Sequence, residues 1–261
     1  MISHVGQLIK TEQGIFCLDP TDRFVSGTLL QQGSYGLDEL ARLLAFVNRE
    51  SSVLMLGAHI GTLLIPLSRY VRHVTAFEAN PKTHELLEIN VLLNGCRNIT
   101  CYNMVANDFF GSIEFVLNTV NSGGSKRLPL VRDEEFFYDN PQVIRAPAIV
   151  LDEFLMDKEY EIIFMDIEGS ETHAMRGATR LVSRAKVMFS EFTPKHLRLV
   201  AGVTVKEFLK LFDEFQTLII PSKKITVYSE GFYSILNQMY ERDEGDAGII
   251  FIRERIHVNF A

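Results

Sequence analysis

The residues of this sequence best placed to do chemistry are a pair of glycines at 57 and 61, Glu78, and three acids at 166, 168 and 191. In Gly57-Ala58-His59-Ile60-Gly61 the missing Cβ atoms let a ligand approach backbone amides at a helix start. Glu78 ends the next apolar run, where a carboxylate can accept hydrogen bonds from both hydroxyls of a ribose. The pair suits an adenosine-type ligand, and it also describes a plain tight turn followed by a strand-end acid. A nicotinamide dinucleotide fits less well, because its G-x-G-x-x-G fingerprint needs a glycine where the chain has His59. The P-loop pattern is absent.

Asp166 and Glu168 close the apolar run Ile162–Ile167, and strand alternation puts their side chains on one side. There they can take a proton from an acceptor or anchor it. Equally, they can cap the following helix and favour its positive end. Two such acids ionising within a few ångströms would push one pKa up. Glu191, at the end of the next apolar run, could complete a set of hard oxygen ligands for a divalent cation, although no metal is assigned. Of the histidines, His59 lies on the glycine turn, as ligand contact or as spacer. His173 reads as a solvated helix residue and His196 as an exposed loop residue.

These groups need a scaffold, and the apolar periodicity supplies one. Ser52–Gly57, Val74–Ala79, Ile99–Ala106, Ile162–Ile167 and Val187–Phe192 read as buried strands. Thr62–Tyr70, Pro81–Asn94, Glu171–Arg184 and Val203–Phe215 read as helices, with a short one at Leu151–Leu155. Leu218–Ile220 or Ile225–Tyr228 joins Gly248–Ile252 to close the sheet with a hairpin. Alternation of this kind predicts an α/β fold with a mostly parallel sheet covered by helices on both faces, and ligands at the carboxyl ends of its strands. Residues 1–50 form an N-terminal helical or irregular extension, and residues 51–261 the main domain. Within the latter, Ser112–Leu117 alternates. The stretch Asn118–Arg145 is a polar loop whose Lys126, Arg127, Phe136, Phe137 and Tyr138 suit either a lid over an acceptor or a surface insertion plugging the core.

With 261 residues and 47% hydrophobic content, the chain can bury the core of one large domain. Its net charge of −7, without a dense basic patch, argues against a nucleic-acid partner. Three cysteines, Cys17, Cys96 and Cys101, in no CxxC spacing suit a reducing compartment, so a cytoplasmic location is expected. No signal-peptide run opens the sequence, and no apolar run reaches the roughly 20 residues a membrane span needs.

Four blocks, in order, resemble the FkbM family of methyltransferases over roughly residues 50–215. Leu56-Gly57-Ala58-His59-Ile60-Gly61 is similar to the family's D-x-G-A-N-x-G, and Ala76-Phe77-Glu78-Ala79-Asn80-Pro81 to its A-F-E-P-N-P, with Asn90–Gly95 continuing that block. Val105-Ala106-Asn107-Asp108 with Gly111 resembles the segment beside the adenine. Phe164-Met165-Asp166-Ile167-Glu168-Gly169-Ser170-Glu171, then Arg176-Gly177-Ala178 and Ser190-Glu191, resembles K-I-D-V-E-G-A-E, K-G-A and E.

The resemblance implies a Rossmann-like class I methyltransferase fold with a seven-stranded sheet, and S-adenosylmethionine held by Gly57, Ala58, His59, Gly61, Glu78, Ala79, Ala106 and Asn107. It implies methyl transfer to a hydroxyl of a small-molecule or carbohydrate acceptor, with Asp166 and Glu168 as the catalytic pair. Three positions depart from the pattern: Met55 replaces the opening acid, His59 the asparagine and Phe164 the lysine before Asp166. They keep open a protein that binds the cofactor without turnover, whereas a nicotinamide-dependent oxidoreductase rests on the fold alone.

Overall fold

The computed structural model describes residues 5–257; residues 1–4 and 258–261, at the ends of the two expected segments, lie outside it. A hairpin of β1 (Gln7–Lys10) and β2 (Ile15–Leu18) opens the chain, followed by helices Val25–Gln32 and Leu37–Leu44. Residues expected to be helical or irregular thus include paired strands. They are tied to the rest of the fold by amides. Asn94 accepts from Ile15 N–H (2.9 Å) and donates to its carbonyl (2.7 Å), and Asn90 does the same for Cys17. Buried Gln13 donates to the carbonyls of Tyr35 (2.8 Å) and Thr62 (3.0 Å), which holds Tyr35 over the glycine turn.

The main sheet is built from β3 (Ser52–Leu56), β4 (His73–Phe77) and β5 (Ile99–Tyr102). After β6 (Val105–Asn107), β7 (Gly111–Leu117), β8 (Lys126–Arg127) and β9 (Gln142–Val150), which form a second sheet, it resumes with β10 (Ile162–Met165) and β11 (Val187–Phe192). β12 (Thr217–Ile220), β13 (Ile225–Tyr228) and β14 (Asp246–Ile252) complete it. The order is β13-β12-β14-β11-β10-β3-β4-β5, with β11 to β5 parallel and the last three strands added antiparallel. The sheet therefore has eight strands rather than seven. The offered alternatives, 218–220 and 225–228, are both strands, because the turn at Pro221–Lys224 folds one back on the other. Strand order reverses at β3, flanked by β4 and β10, so the crevice opens where Gly57, Glu78 and Asp166 follow their strands.

Alternation along β3 sends Leu54 and Leu56 into one hydrophobic core and Val53 and Met55 into the other, on opposite faces of the sheet. Elsewhere the periodicity ran past real breaks. Ile99–Ala106 is two strands in two sheets, because Asn103 turns its amide onto the carbonyls of Glu78 (2.8 Å) and Ala79 (3.2 Å). Glu171–Arg184 is two helices, Glu171–Arg176 and Thr179–Arg184. Gly177 between them lets Asn107 approach, since a Cβ there would lie 1.9 Å from the Asn107 carbonyl oxygen. Val203–Phe215 holds a short helix, Val205–Leu209, with a 3₁₀ turn after it, and the helix Phe232–Glu241 went unanticipated.

Asn118–Arg145 is only partly a loop. β8 lies within it and β9 begins at Gln142, its residues 142–148 pairing with the whole of β7. Polar Gln142 and Arg145 and the proline at 147 hid that strand. Pro147 sits just outside the stretch, Ala148–Val150, where β6 pairs on the other side. Phe136 is buried, as a core plug would be, while Tyr138 stays exposed.

Candidate active site

A cavity opens at the carboxyl ends of β3, β4 and β10. Its lining includes Gly57, Ala58, His59, Glu78, Ala79, Ala106 and Asp166 of the residues singled out in the sequence. Gly57, at φ 83°, cannot be anything larger: a Cβ would sit 1.8 Å from the Asp166 carbonyl oxygen. That contact brings the ends of β3 and β10 together, and the Gly57 and Ala58 N–H groups both donate to Phe77 O across the other neighbour. Gly61 (φ 90°) does not line the cavity; its missing Cβ makes room for Leu87 and Ile65, seating the turn on its helix. Asn107 is also outside the lining, fully buried, with neither side-chain polar atom hydrogen-bonded.

Glu78 is buried, and burial pushes its carboxyl up to about 7 against the pull of its hydrogen bonds. Oε2 accepts from His59 N–H at 2.9 Å and Oε1 from Asn80 N–H at 2.8 Å. Each oxygen keeps a lone pair for a second donor, so the protein aims the carboxylate before a ligand arrives. Asn80 in turn caps the helix Pro81–Leu93.

His59 stands at φ 49°, a left-handed conformation that asparagine and histidine tolerate better than most residues, which is how the substitution fits the turn. Its Nε2 meets Ser122 Oγ at 2.7 Å, fastening the turn to the 118–145 segment. Burial pushes the imidazole down to about 4, against the opposing charges of Asp22 and Asp19, so it is neutral at pH 7.

Asp166 follows β10 and is exposed to the open cavity. Burial first, then Glu191, Glu168, Glu39 and Glu171, raise its carboxyl well above the ordinary range. Glu168 (φ 56°) turns away into a neighbouring hollow also lined by Asn118, Phe136, Tyr138, Lys195 and His196. The wall between the two is the segment 121–126. Ser122, Gly123 and Ser125 face the cavity, and Asn121, Gly124 and Lys126 face the hollow. The expected catalytic pair thus splits across that wall.

Glu168 is held by Lys126 Nζ at 2.9 Å and His196 Nε2 at 3.2 Å, while His196 Nδ1 lies 3.4 Å from Glu191 Oε2. Burial works against a charged His196, but the hydrogen bond and charge of Glu191, then Glu168, carry its pKa upward. Burial likewise opposes a charged Glu191, and His196 and Thr193 bring it below the usual range. His196 is therefore a half-buried link between two acids rather than an exposed loop residue. His173 too is half-buried, 3.4 Å from Asp108. Donor atoms of Glu168, Glu191 and His196 lie within 4.8 Å of one another, spacing compatible with a cation; the buried Lys126 ammonium already supplies that charge.

Two of the departures are one change. Met55 and Phe164 are register partners across β3 and β10, and both line the cavity. An acid and a lysine expected at these positions would face each other as a pair; here an apolar pair stands in their place. Sequence reasoning missed Tyr35 and Glu39, which reach the cavity from the N-terminal segment, and Ser122 in the insertion; it named Lys126 but not its pairing with Glu168. Nothing in the spacing of these residues announces them.

A Rossmann-like sheet with its crevice at the switch point, a glycine turn and a strand-end glutamate define the class I methyltransferase fold. Residues 56–217 match the methyltransferase FkbM domain, and the chain belongs to that family of S-adenosylmethionine-dependent methyltransferases. No curated protein matches the chain. Similar solved structures include M. jannaschii TYW2 in complex with AdoMet, at 17% identity over 75% of this chain and 67% of that one, with a TM-score of 0.40. An rRNA methylase from Streptococcus thermophilus shares 11% identity over 84% of this chain and 95% of that one, with a TM-score of 0.45. The complex of aTrm5 with tRNALeu shares 14% over 82% and 46%, with a TM-score of 0.42. Similarity at this level leaves the acceptor open. Among the described residues, no helix is long and apolar enough to cross a membrane, and all three cysteines are free.

Proposed function

We propose that the chain transfers a methyl group from S-adenosylmethionine to a hydroxyl oxygen of a small-molecule or carbohydrate acceptor. In this reading Glu78 takes the ribose hydroxyls, Gly57, Ala58 and His59 the amino-acid part, and Ala79 and Ala106 the adenine. Gly61 and Asn107 support the turn and the strand end from behind. The carrying observation is Asp166, whose carboxyl borders the cavity one strand from Gly57, makes no hydrogen bond among the described residues, and is biased toward holding a proton. A carboxylate that binds protons readily at neutral pH suits the removal of a hydroxyl proton. Glu168, held by Lys126 and His196, acts from behind as an electrostatic partner. No metal is needed in this scheme, since the base is a side chain and Lys126 balances the acids.

The test is transfer of labelled methyl from S-adenosylmethionine to a panel of sugars, phenols and structured RNAs. Asp166→Asn should bind S-adenosylhomocysteine as the parent does and transfer nothing. Full turnover in Asp166→Asn would remove Asp166 from the mechanism, and labelled RNA would replace the acceptor class. A second reading, binding without transfer, is favoured by the Met55–Phe164 pair; tight cofactor binding with no transfer to any acceptor would support it.

A further inference from the structure

The charged side chains lining the cavity are Glu39, Glu78 and Asp166; no lysine or arginine lines it among the described residues. Glu78 is engaged with the backbone N–H groups of His59 and Asn80, whereas neither the Glu39 nor the Asp166 carboxyl accepts a hydrogen bond among the described residues. Glu39 stands on the helix Leu37–Leu44, and its Oε1 is sealed against Gly248 without a partner. A Cβ at 248 would come within 3.1 Å of that oxygen, so bare backbone makes the space for it. Burial raises the Glu39 carboxyl to about 7; Arg42 offsets part of this, and Asp246 and Glu191 add to it. The Tyr35 hydroxyl lies in the field of both Asp166 and Glu39. Two acids facing a cavity with no cation in its lining disfavour an anionic guest and stabilise a positive one.

We propose that Glu39, together with Asp166, makes the cavity read the positive charge of the donor sulfonium, so that the chain holds S-adenosylmethionine more tightly than its demethylated product. The inference rests on the donor assignment above. In the transfer the S–CH₃ bond breaks, its electron pair returns to sulfur, and an O–CH₃ bond forms. The acceptor's hydroxyl proton passes to a carboxylate. Before the step a sulfonium faces a carboxylate; afterwards a neutral thioether faces a carboxylic acid. Turnover thereby erases the ion pair that held the donor. One unit charge at about 6 Å in an effective dielectric near 20 is worth roughly ten- to a hundredfold in affinity.

The experiment is calorimetric titration of the full chain with S-adenosylmethionine, S-adenosylhomocysteine, and an analogue with an amine in place of the methylsulfonium. The parent protein should bind both cations at least about tenfold more tightly than the thioether. Glu39→Gln should lower that ratio severalfold, with Asp166 keeping the remainder, while leaving thioether affinity unchanged. A parent ratio near one overturns the proposal without recourse to any variant. So does a Glu39→Gln protein that keeps the ratio, or one that loses all three ligands equally. Failure of every ligand to bind the parent would instead bring down the donor assignment itself.

Discussion

Glu78→Ala separates binding from folding. In the folded protein the side chain accepts from two backbone N–H groups, His59 at 2.9 Å and Asn80 at 2.8 Å. Removing it leaves those donors facing a cavity that water can enter. The same substitution relieves a buried carboxyl whose pKa stands near 7 instead of the ordinary 4.5. These effects oppose each other, and the net change in unfolding free energy should stay below about 2 kcal/mol. Binding has no such compensation. Under the proposed assignment two ribose hydroxyls lose a charged acceptor, at roughly 1.5–3 kcal/mol each, which should weaken S-adenosylhomocysteine by about 10²–10⁴ in Kd. Titration calorimetry gives the affinity directly. Thermal denaturation checks it, since ligand at about 100 times Kd adds roughly 2.7 kcal/mol to the parent and nothing to a variant that no longer binds. A folded Glu78→Ala protein that binds within tenfold of the parent would refute the ribose assignment. Glu78→Gln, which keeps one acceptor oxygen, should fall between the two.

Gly57→Ala adds a Cβ 1.8 Å from the Asp166 carbonyl oxygen at a φ of 83°, whereas Gly95→Ala, at φ 63°, meets nothing within 4 Å. The second should cost about 1 kcal/mol and the first at least twice that, read as urea midpoints; equal losses would mean that the contact between β3 and β10 is soft. The ligand-free protein should lose stability as pH rises from about 5 to 8. Glu39, Glu78 and Glu171 have folded pKa values near 7, 7 and 8 against 4.5, so the native state holds more protons than the unfolded chain across that window. Glu171→Gln should flatten the slope, and a urea midpoint that climbs over the same range would contradict the burial of these acids.

The parallel half of the sheet was legible because β3, β4 and β10 are apolar runs followed by Gly57, Glu78 and Asp166, and β11 is one that carries Glu191 near its end, a pattern fixed by burial on both faces. Their junctions were not. Asn103 breaks a continuous apolar run through side-chain bonds to another strand, and Gly177 breaks a helix because Asn107 approaches from afar. Both causes lie outside the local sequence window. In the candidate site, Gly57 and Glu78 follow from strand-end chemistry, and their neighbours in space emerge from it. Tyr35 and Glu39 reach the cavity from an N-terminal segment that Gln13 and Asn90 fasten to the rest of the fold. The split between Asp166 and Glu168 depends on a left-handed residue at 168 and on a wall supplied by residues 121–126, neither of which alternation alone can foresee.

The register pairing of Met55 with Phe164 also constrains how this chain can change over evolutionary time. Each side chain is almost fully enclosed. Replacing either one alone with a charged residue would strand an ion in an oily wall, at a cost of several kcal/mol. The two positions are therefore epistatic: lineages can exchange the apolar couple for an acid and a lysine only through a compromised intermediate or by a double substitution. Libraries that randomise one position at a time should return only apolar residues at either, while a library that varies them jointly should recover the charged couple.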